Sequence, residues 1–290
     1  YDFPFGRLFD GNGYQIRNLY INRTGPYYVG LFGVISGESA QLRNIGLTGK
    51  LMQVQGYGYV GGLVGYAKGA ARIEQSYVTG AVTGGFDVGG LAGYLFSGAI
   101  SNSYVTGAVN GDSSVGGLVG YSSSSTINSS FATGAVTGNF YVGGLAGNSV
   151  RSVITNSHWA TDTTGQLNSD GESEFDNYFG ATLAELQCPT SSDNTDDCVI
   201  SNTLYAGWDS SVWDFGTSTQ LPGLIINGIV YRDEDGNGSL DENQAPTVTL
   251  TLKQDGYVVS DITAGDGDVT LEATITDPDA SDRHTLSWTY

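Results

Sequence analysis

Cysteine, methionine, histidine and basic residues are scarce in this chain: its 290 residues include two cysteines, one methionine and two histidines. Cys188 and Cys198 stand ten residues apart around Pro189 and Asp193-Asn194-Thr195-Asp196-Asp197, with no histidine nearby. A local disulfide closing a loop is expected there rather than a metal site, and it points to an oxidising compartment. No run of about 18 apolar residues occurs, so no membrane insertion is expected of this segment, and the chain opens without a charged-then-apolar leader, so no signal peptide is expected at its start. Eleven bases stand against 30 acids, for a formal charge of −19. An acidic chain repels nucleic acid and anionic lipid and suits a divalent cation instead. Neither G-x-S-x-G, H-E-x-x-H nor a P-loop is present, and the two histidines, His158 and His284, read as structural.

Charge divides the chain. Residues 1–159 hold 6 acids and 8 bases, whereas 160–290 hold 24 acids and 3 bases. Glycine is the abundant residue, 44 copies or about twice the usual share. The accompanying Val, Ile, Leu and Tyr, and the lack of an every-third glycine, argue for a folded, turn-rich β protein.

The glycines mark a repeat. Val60-Gly61-Gly62-Leu63-Val64-Gly65 recurs from Val88, Val115 and Val142, at steps of 28, 27 and 27 residues, and a diverged copy starts at Val29. A second block, Ser76-Tyr77-Val78-Thr79-Gly80-Ala81-Val82, recurs from Ser103 and Ser130. Before each block stand an apolar and a polar residue: Ile73 with Gln75, Ile100 with Asn102, Ile127 with Ser129, Ile154 with Asn156, and in looser form Leu42 with Asn44 and Ile16 with Asn18.

A period of 27 residues carrying two or three short strands and no helical pattern fits one coil of a parallel β-helix better than a propeller blade. Equivalent positions then stack about 4.8 Å apart. The Val60 and Leu63 columns are expected to fill a narrow core, and the paired glycines to allow a tight bend or close approach of coils. The Asn18, Asn44, Gln75, Asn102, Ser129 and Asn156 column is expected to form an amide ladder at a turn. Tyr66, Tyr94 and Tyr121 form an aromatic stripe that reads as packing between coils, with sugar stacking as the alternative. Thr79, Thr106 and Thr133, with Thr83 and Thr137 flanking Asn110 in a second column, raise an ice-binding threonine face as a minor alternative to ordinary strand propensity.

The V-G-G-L-V-G core with the I-x-N-S-Y-V-T-G-A-V block resembles the GLUG-motif repeats of bacterial surface and secreted proteins, over about residues 1–165. Phe9-Asp10-Gly11-Asn12-Gly13-Tyr14-Gln15-Ile16 resembles the start of such arrays. The resemblance implies a right-handed parallel β-helix on an adhesin-like protein and no single activity. His158, in the slot of Tyr77, Tyr104 and Phe131, departs from the pattern and is expected to mark the end of the array.

The expected domains are a β-helix over 1–161, a C-terminal cap over 162–228, a calcium loop and linker over 229–245, and part of an Ig-like β-sandwich over 246–290. The cap holds Thr182 and Glu185 at capping-box spacing, the cysteine loop and the tryptophans Trp208 and Trp213. In the loop, Asp233, Asp235, Asn237, Ser239 (through its carbonyl), Asp241 and Gln244 fall at the ligand positions a hard Ca²⁺ ion requires, with Gly238 at the sixth place of that register. Gln244 replaces the Glu expected at the twelfth position. Alternating Thr247–Leu252 and Val269–Ile275 read as sandwich strands, and 277–288 resembles the middle of a cadherin-like or polycystic-kidney-disease-type module, where Asp277, Asp279 and Asp282 are candidates for a second Ca²⁺.

Asp2, Asp10, Glu38, Glu74, Asp87 and Asp112 are the only acids of the array and do not recur in register, so no paired-carboxylate site is expected. The sequence therefore reads as a non-enzymatic extracellular adhesin or filament- and matrix-forming protein at a bacterial cell surface, with a calcium-stiffened junction. Its expected partner is a glycan, a cell-surface or matrix protein, or a copy of itself. The alternatives are a carbohydrate-active β-helix enzyme and the non-catalytic region of a large secreted peptidase.

Overall fold

The computed structural model describes residues 4–172, 180–187, 204–216 and 220–233, together with the strand backbones Thr247–Gln254, Tyr257–Val258 and Val269–Thr276. Residues up to Asp241 form one compact unit and those from Glu242 another.

The first unit is a parallel β-solenoid of about five coils, built on four sheets whose neighbouring strands come from successive coils. Each coil visits them in the same order. In the coil that begins at residue 99, these are Ala99–Ser101, Tyr104–Val105, the pair Val109–Asn110 and Ser113–Gly116, and Val119–Ser123. The repeat alignment is the register: Val60, Val88, Val115 and Val142 pair in turn, as do Ile73, Ile100, Ile127 and Ile154. Leu63, Leu91, Leu118 and Leu145 are fully buried and joined coil to coil by backbone hydrogen bonds. Each such aliphatic residue contributes roughly 1.5–3 kcal/mol by leaving water, which is why a column must stay apolar in every coil.

The paired glycines owe their place to crowding. Neither glycine of any pair has a positive φ. A Cβ at Gly62, Gly90 or Gly117 would strike Val78, Val105 or Ala132 across the core, at 3.0 Å or less. The left-handed corners fall instead on other residues, at three places in a repeating coil: Gln75, Asn102, Ser129 and Asn156; Ala70, Ser97, Ser124 and Arg151; and Tyr28, Tyr59, Asp87, Ser114 and Tyr141, with φ between 45° and 67°.

This revises the amide column. What its members share is a left-handed φ, which Asn tolerates better than most residues, and their side chains form no continuous amide-to-amide chain. Asn102 Oδ1 accepts from Trp213 and Asn44 Nδ2 donates to Asp10. The first copy of the column lies on a different strand from the one its composition suggests. Ile16 pairs with Leu47, and Phe9 is the residue that pairs with Leu42, because the first coil carries two extra residues between these strands.

A serine ladder takes the role expected of the amides. Ser76, Ser103 and Ser130 are fully buried; each backbone N–H donates to the Oγ of the next serine, ending on Ser157, at 3.1–3.2 Å. Each Oγ donates in turn to the carbonyl two residues earlier. The Thr79, Thr106 and Thr133 column is 2–3% exposed, so it offers no flat outward threonine face.

The last strand of the second sheet is His158–Trp159, where His158 pairs with Phe131. Asn168 and Ser169 then accept hydrogen bonds from Gly144, Leu145 and Ala146 and cover the last edge of the fourth sheet. Thr182 and Glu185 form a capping box on the short helix Leu183–Leu186. The described residues of 204–228, which the sequence places in an end cap, run with the strand Ile229–Tyr231 along the outside of the second sheet. Trp208 donates to the Asn156 carbonyl, Trp213 to Asn102 and Asn227 to Asn12, so the segment straps successive coils together. Beneath it lie Tyr77, Tyr104 and Phe131, stacked at 5.0 Å centroid spacing. Burial pushes the Tyr77 hydroxyl far above its usual range.

In the second unit Thr247–Gln254 pairs antiparallel with Val269–Thr276 over eight residues and with Tyr257–Val258 at its end. Asp277, Asp279, Asp282 and His284 lie outside the described residues.

Candidate functional site

Of the expected calcium ligands, Asp233 is described and is 1% exposed, two residues beyond the strand Ile229–Tyr231. Asp235, Asn237, Ser239, Asp241 and Gln244 lie outside the described residues, as do Cys188 and Cys198. Next to Asp233, the Arg232 guanidinium joins Gln220 at 2.9 Å and pairs with Asp214. This anchors the start of the acidic segment on the three-stranded sheet of Trp213–Asp214, Gly223–Ile226 and Ile229–Tyr231. Among the described residues no group of three or more His, Cys, Asp or Glu side chains is placed to hold a metal ion.

The outward chemistry of the solenoid concentrates where the third sheet turns into the fourth. Three columns meet there. One is the tyrosine stripe, Tyr66, Tyr94 and Tyr121, in register on the fourth sheet. The second holds the left-handed residues Tyr28, Tyr59, Asp87, Ser114 and Tyr141. The third runs Tyr27, Gly58, Phe86, Ser113 and Phe140 in direct register.

The stripe is packing, as the first reading of the sequence has it, but it does not pack alone. Tyr28 stacks on Tyr59 at 5.1 Å, Tyr59 on Tyr94 at 5.8 Å and Tyr66 on Tyr94 at 4.9 Å. These contacts use ring faces and bind coil to coil. Outside them, Tyr27, Tyr57 and Phe86 meet edge to face or tilted at 5.3–5.8 Å, and Tyr27 and Tyr57 remain 44% and 48% exposed. Gly58 makes this possible, since a Cβ there would fall 2.5 Å from the Phe86 ring. Lys68 lies over the Tyr66 ring at 5.4 Å.

One acid sits in this aromatic corner. Burial raises the Asp87 carboxyl to about 6, against a hydrogen bond from Ser114 that lowers it. Burial likewise raises Tyr59 and Tyr66, and lifts Tyr94 to about 12. The next coil has serines at both outer columns, and the coil after that restores the aromatics with Phe140 and Tyr141, 63% and 47% exposed. The corner is therefore two aromatic shoulders with a polar notch of Asp87, Ser113 and Ser114 between them. The notch is not legible in the sequence because its members belong to two columns that the glycine signature does not include, and because Asp87 and Ser114 stand where Tyr28, Tyr59 and Tyr141 stand in the other coils.

No solved structure matches the chain. A "Putative Gly-rich membrane protein" of Evansella cellulosilytica is 51% identical over 57 residues, 19% of this chain and 6% of that protein. Among the described residues no helix is long and apolar enough to cross a membrane. The GLUG motif matches residues 56–83 and 84–110, two successive coils at the centre of the aromatic corner. Two coils of the solenoid thus carry the GLUG motif.

Proposed function

We propose that this chain is a non-enzymatic, extracellular structural or adhesive segment of a bacterial surface protein, whose solenoid presents a repeated surface to a glycan, a cell-surface or matrix protein, or copies of itself. The observation that carries this reading is the continuous in-register stack whose inward columns are aliphatic and whose outward corner keeps large aromatic rings exposed. Such rings are costly to leave in water unless they serve contact with something else. The GLUG repeats and the Gly-rich relative named as a membrane protein support a place at the cell surface.

In this reading the acidic stretch from Asp233 to Gln244 binds Ca²⁺ and stiffens the junction between the two units, and Cys188 and Cys198 close a disulfide. Both are testable on the 290-residue chain. Chelation with EGTA should lower the thermal stability of the second unit, and an unchanged melt would remove the calcium role. Mass spectrometry of unreduced peptides should find Cys188 linked to Cys198. The general reading is tested by presenting the purified chain to bacterial and host cells and by following its light scattering with concentration and Ca²⁺. Binding as a monomer marks an adhesive module and polymerisation a fibre element; a chain that neither binds nor polymerises would sink the proposal.

A further inference from the structure

We propose that the notched aromatic corner is the ligand-binding surface of the solenoid and that its ligand is an uncharged polysaccharide chain lying along the solenoid axis. This rests on the adhesive reading above and specifies it.

The geometry comes first. From Tyr59 to Tyr141 the left-handed column runs Tyr, Asp, Ser, Tyr in consecutive coils, and the adjacent column runs Gly58, Phe86, Ser113, Phe140. At about 4.8 Å per coil, the facing rings Phe86 and Phe140 stand two coil steps apart, roughly 10 Å, with Ser113 between them. Small side chains in the coil of Ser113 and Ser114 open a trough between them. In the coils of this gap Asp87 is bonded to Ser114, and Asp112, next to Ser113, accepts from Asn139 at 2.6 Å.

The chemistry of this lining selects the occupant. A pyranose ring has one face of C–H groups and a rim of hydroxyls, so it is matched by an exposed aromatic face beside hydrogen-bonding carboxylates and hydroxyls. Phe140, Tyr141 and Tyr57 supply the rings; Asp87, Asp112 and Ser113 supply the polar partners. An anionic membrane would call for a basic margin, yet the positive charge placed among these rings by its contacts is that of Lys68, set over Tyr66. An anionic glycan meets the same objection, with Asp87 and Asp112 repelling it. An extended peptide repeats the same face about every 6.6 Å and falls out of step with side chains presented at each coil, whereas a sugar unit spans close to one coil.

The test uses the 290-residue chain against soluble neutral polysaccharides (a β-glucan, a mannan and a xylan), with alginate as the acidic probe and phosphatidylglycerol vesicles as the lipid one. Affinity gel electrophoresis and titration calorimetry should show retention by at least one neutral polymer. Tyr57→Ala combined with Phe140→Ala should weaken it at least tenfold, and Asp87→Asn at least threefold. Leu51→Ala, an exposed residue away from the corner, should leave it unchanged, and all variants should keep the parental β-sheet circular dichroism. Absence of retention by every neutral polymer, retention by alginate or vesicles alone, or retention indifferent to the aromatic pair would overturn the assignment. If the chain then still binds cells or polymerises, the adhesive or structural reading stands without this surface; if it does neither, both fail.

Discussion

Gly120 in one coil lies against the backbone of Asp87 in the coil before: a Cβ on Gly120 would fall 2.2 Å from the Asp87 carbonyl carbon. The relationship repeats, with Gly93 against Tyr59, Gly147 against Ser114 and Gly171 against Tyr141, each at 2.2–2.3 Å. The last glycine of the V-G-G-L-x-G signature is therefore the seat for the left-handed bulge of the preceding coil. That bulge is the column from which the candidate ligand surface is built.

Gly120→Ala should consequently destabilise the solenoid by about 2–4 kcal/mol, since backbone on both sides has to move. Gly25, with no atom within 4 Å of an added Cβ, is the control, and Gly25→Ala should change stability by less than about 0.5 kcal/mol. Urea denaturation followed by far-ultraviolet circular dichroism separates the two. Equal effects would refute the seat.

Asp87 carries a stability cost with a definite sign. Its folded pKa, about 6, lies above the 3.8 of an unperturbed Asp. The folded state therefore holds the proton more tightly, and stability declines as pH rises between about 4 and 6. A two-unit shift corresponds to nearly 3 kcal/mol in full; with the side chain only partly buried, about 1–2 kcal/mol is expected. Asp87→Asn, which suits a left-handed residue and can keep the Ser114 bond, should remove that decline and raise the melting temperature at pH 7. A variant that melts lower at pH 7 than at pH 4 by the same margin as the parent would show that other groups govern the pH dependence.

The serine ladder predicts a cost that exposure alone hides. Ser103 Oγ accepts from the Ser76 N–H and donates to the Ser101 carbonyl. Ser103→Ala leaves both groups without that partner in a buried place, at about 1–3 kcal/mol, although it removes one oxygen. Ser123→Ala, on a half-buried site outside this ladder, should cost much less. Hydrogen exchange at the Ser76 amide should quicken in the first variant and not in the second.

How much of this is legible in the sequence follows from periodicity. The core columns and the parallel stacking are readable because burial demands the same residue class every 27 or 28 positions; the coil's five short strands on four sheets are not, and two or three are expected from the sequence. The second sheet's outer ladder is half legible: Tyr77, Tyr104 and Phe131 recur, yet nothing local says that they are buried. Their cover comes from Trp213 and Tyr231, more than 80 residues further along, in a stretch without the repeat. The register of the first coil is misread for a simpler reason. Ile16-Arg17-Asn18 imitates Leu42-Arg43-Asn44 in composition, and only the two extra residues around Asn12 tell the strands apart. The notch around Asp87 is hidden because it is made where the repeat is broken.

The strap gives the last prediction. Trp213 is 1% exposed, lies 5.9 Å from the Phe131 ring and 4.6 Å from Trp208, and donates to Asn102. Trp213→Ala removes all of this and should cost about 3–5 kcal/mol, whereas Trp213→Phe keeps the ring contacts and should lose mainly the hydrogen bond, about 1 kcal/mol. Because the strap lies across the outer face of the second sheet while the core columns are closed within the coils, the alanine variant should free residues 204–231 before the solenoid melts. Limited proteolysis should then cut near Trp208 under conditions where the coils from Val60 to Leu145 remain intact. Simultaneous digestion of strap and coils would mean that the strap is part of the solenoid's cooperative core rather than a separable brace upon it.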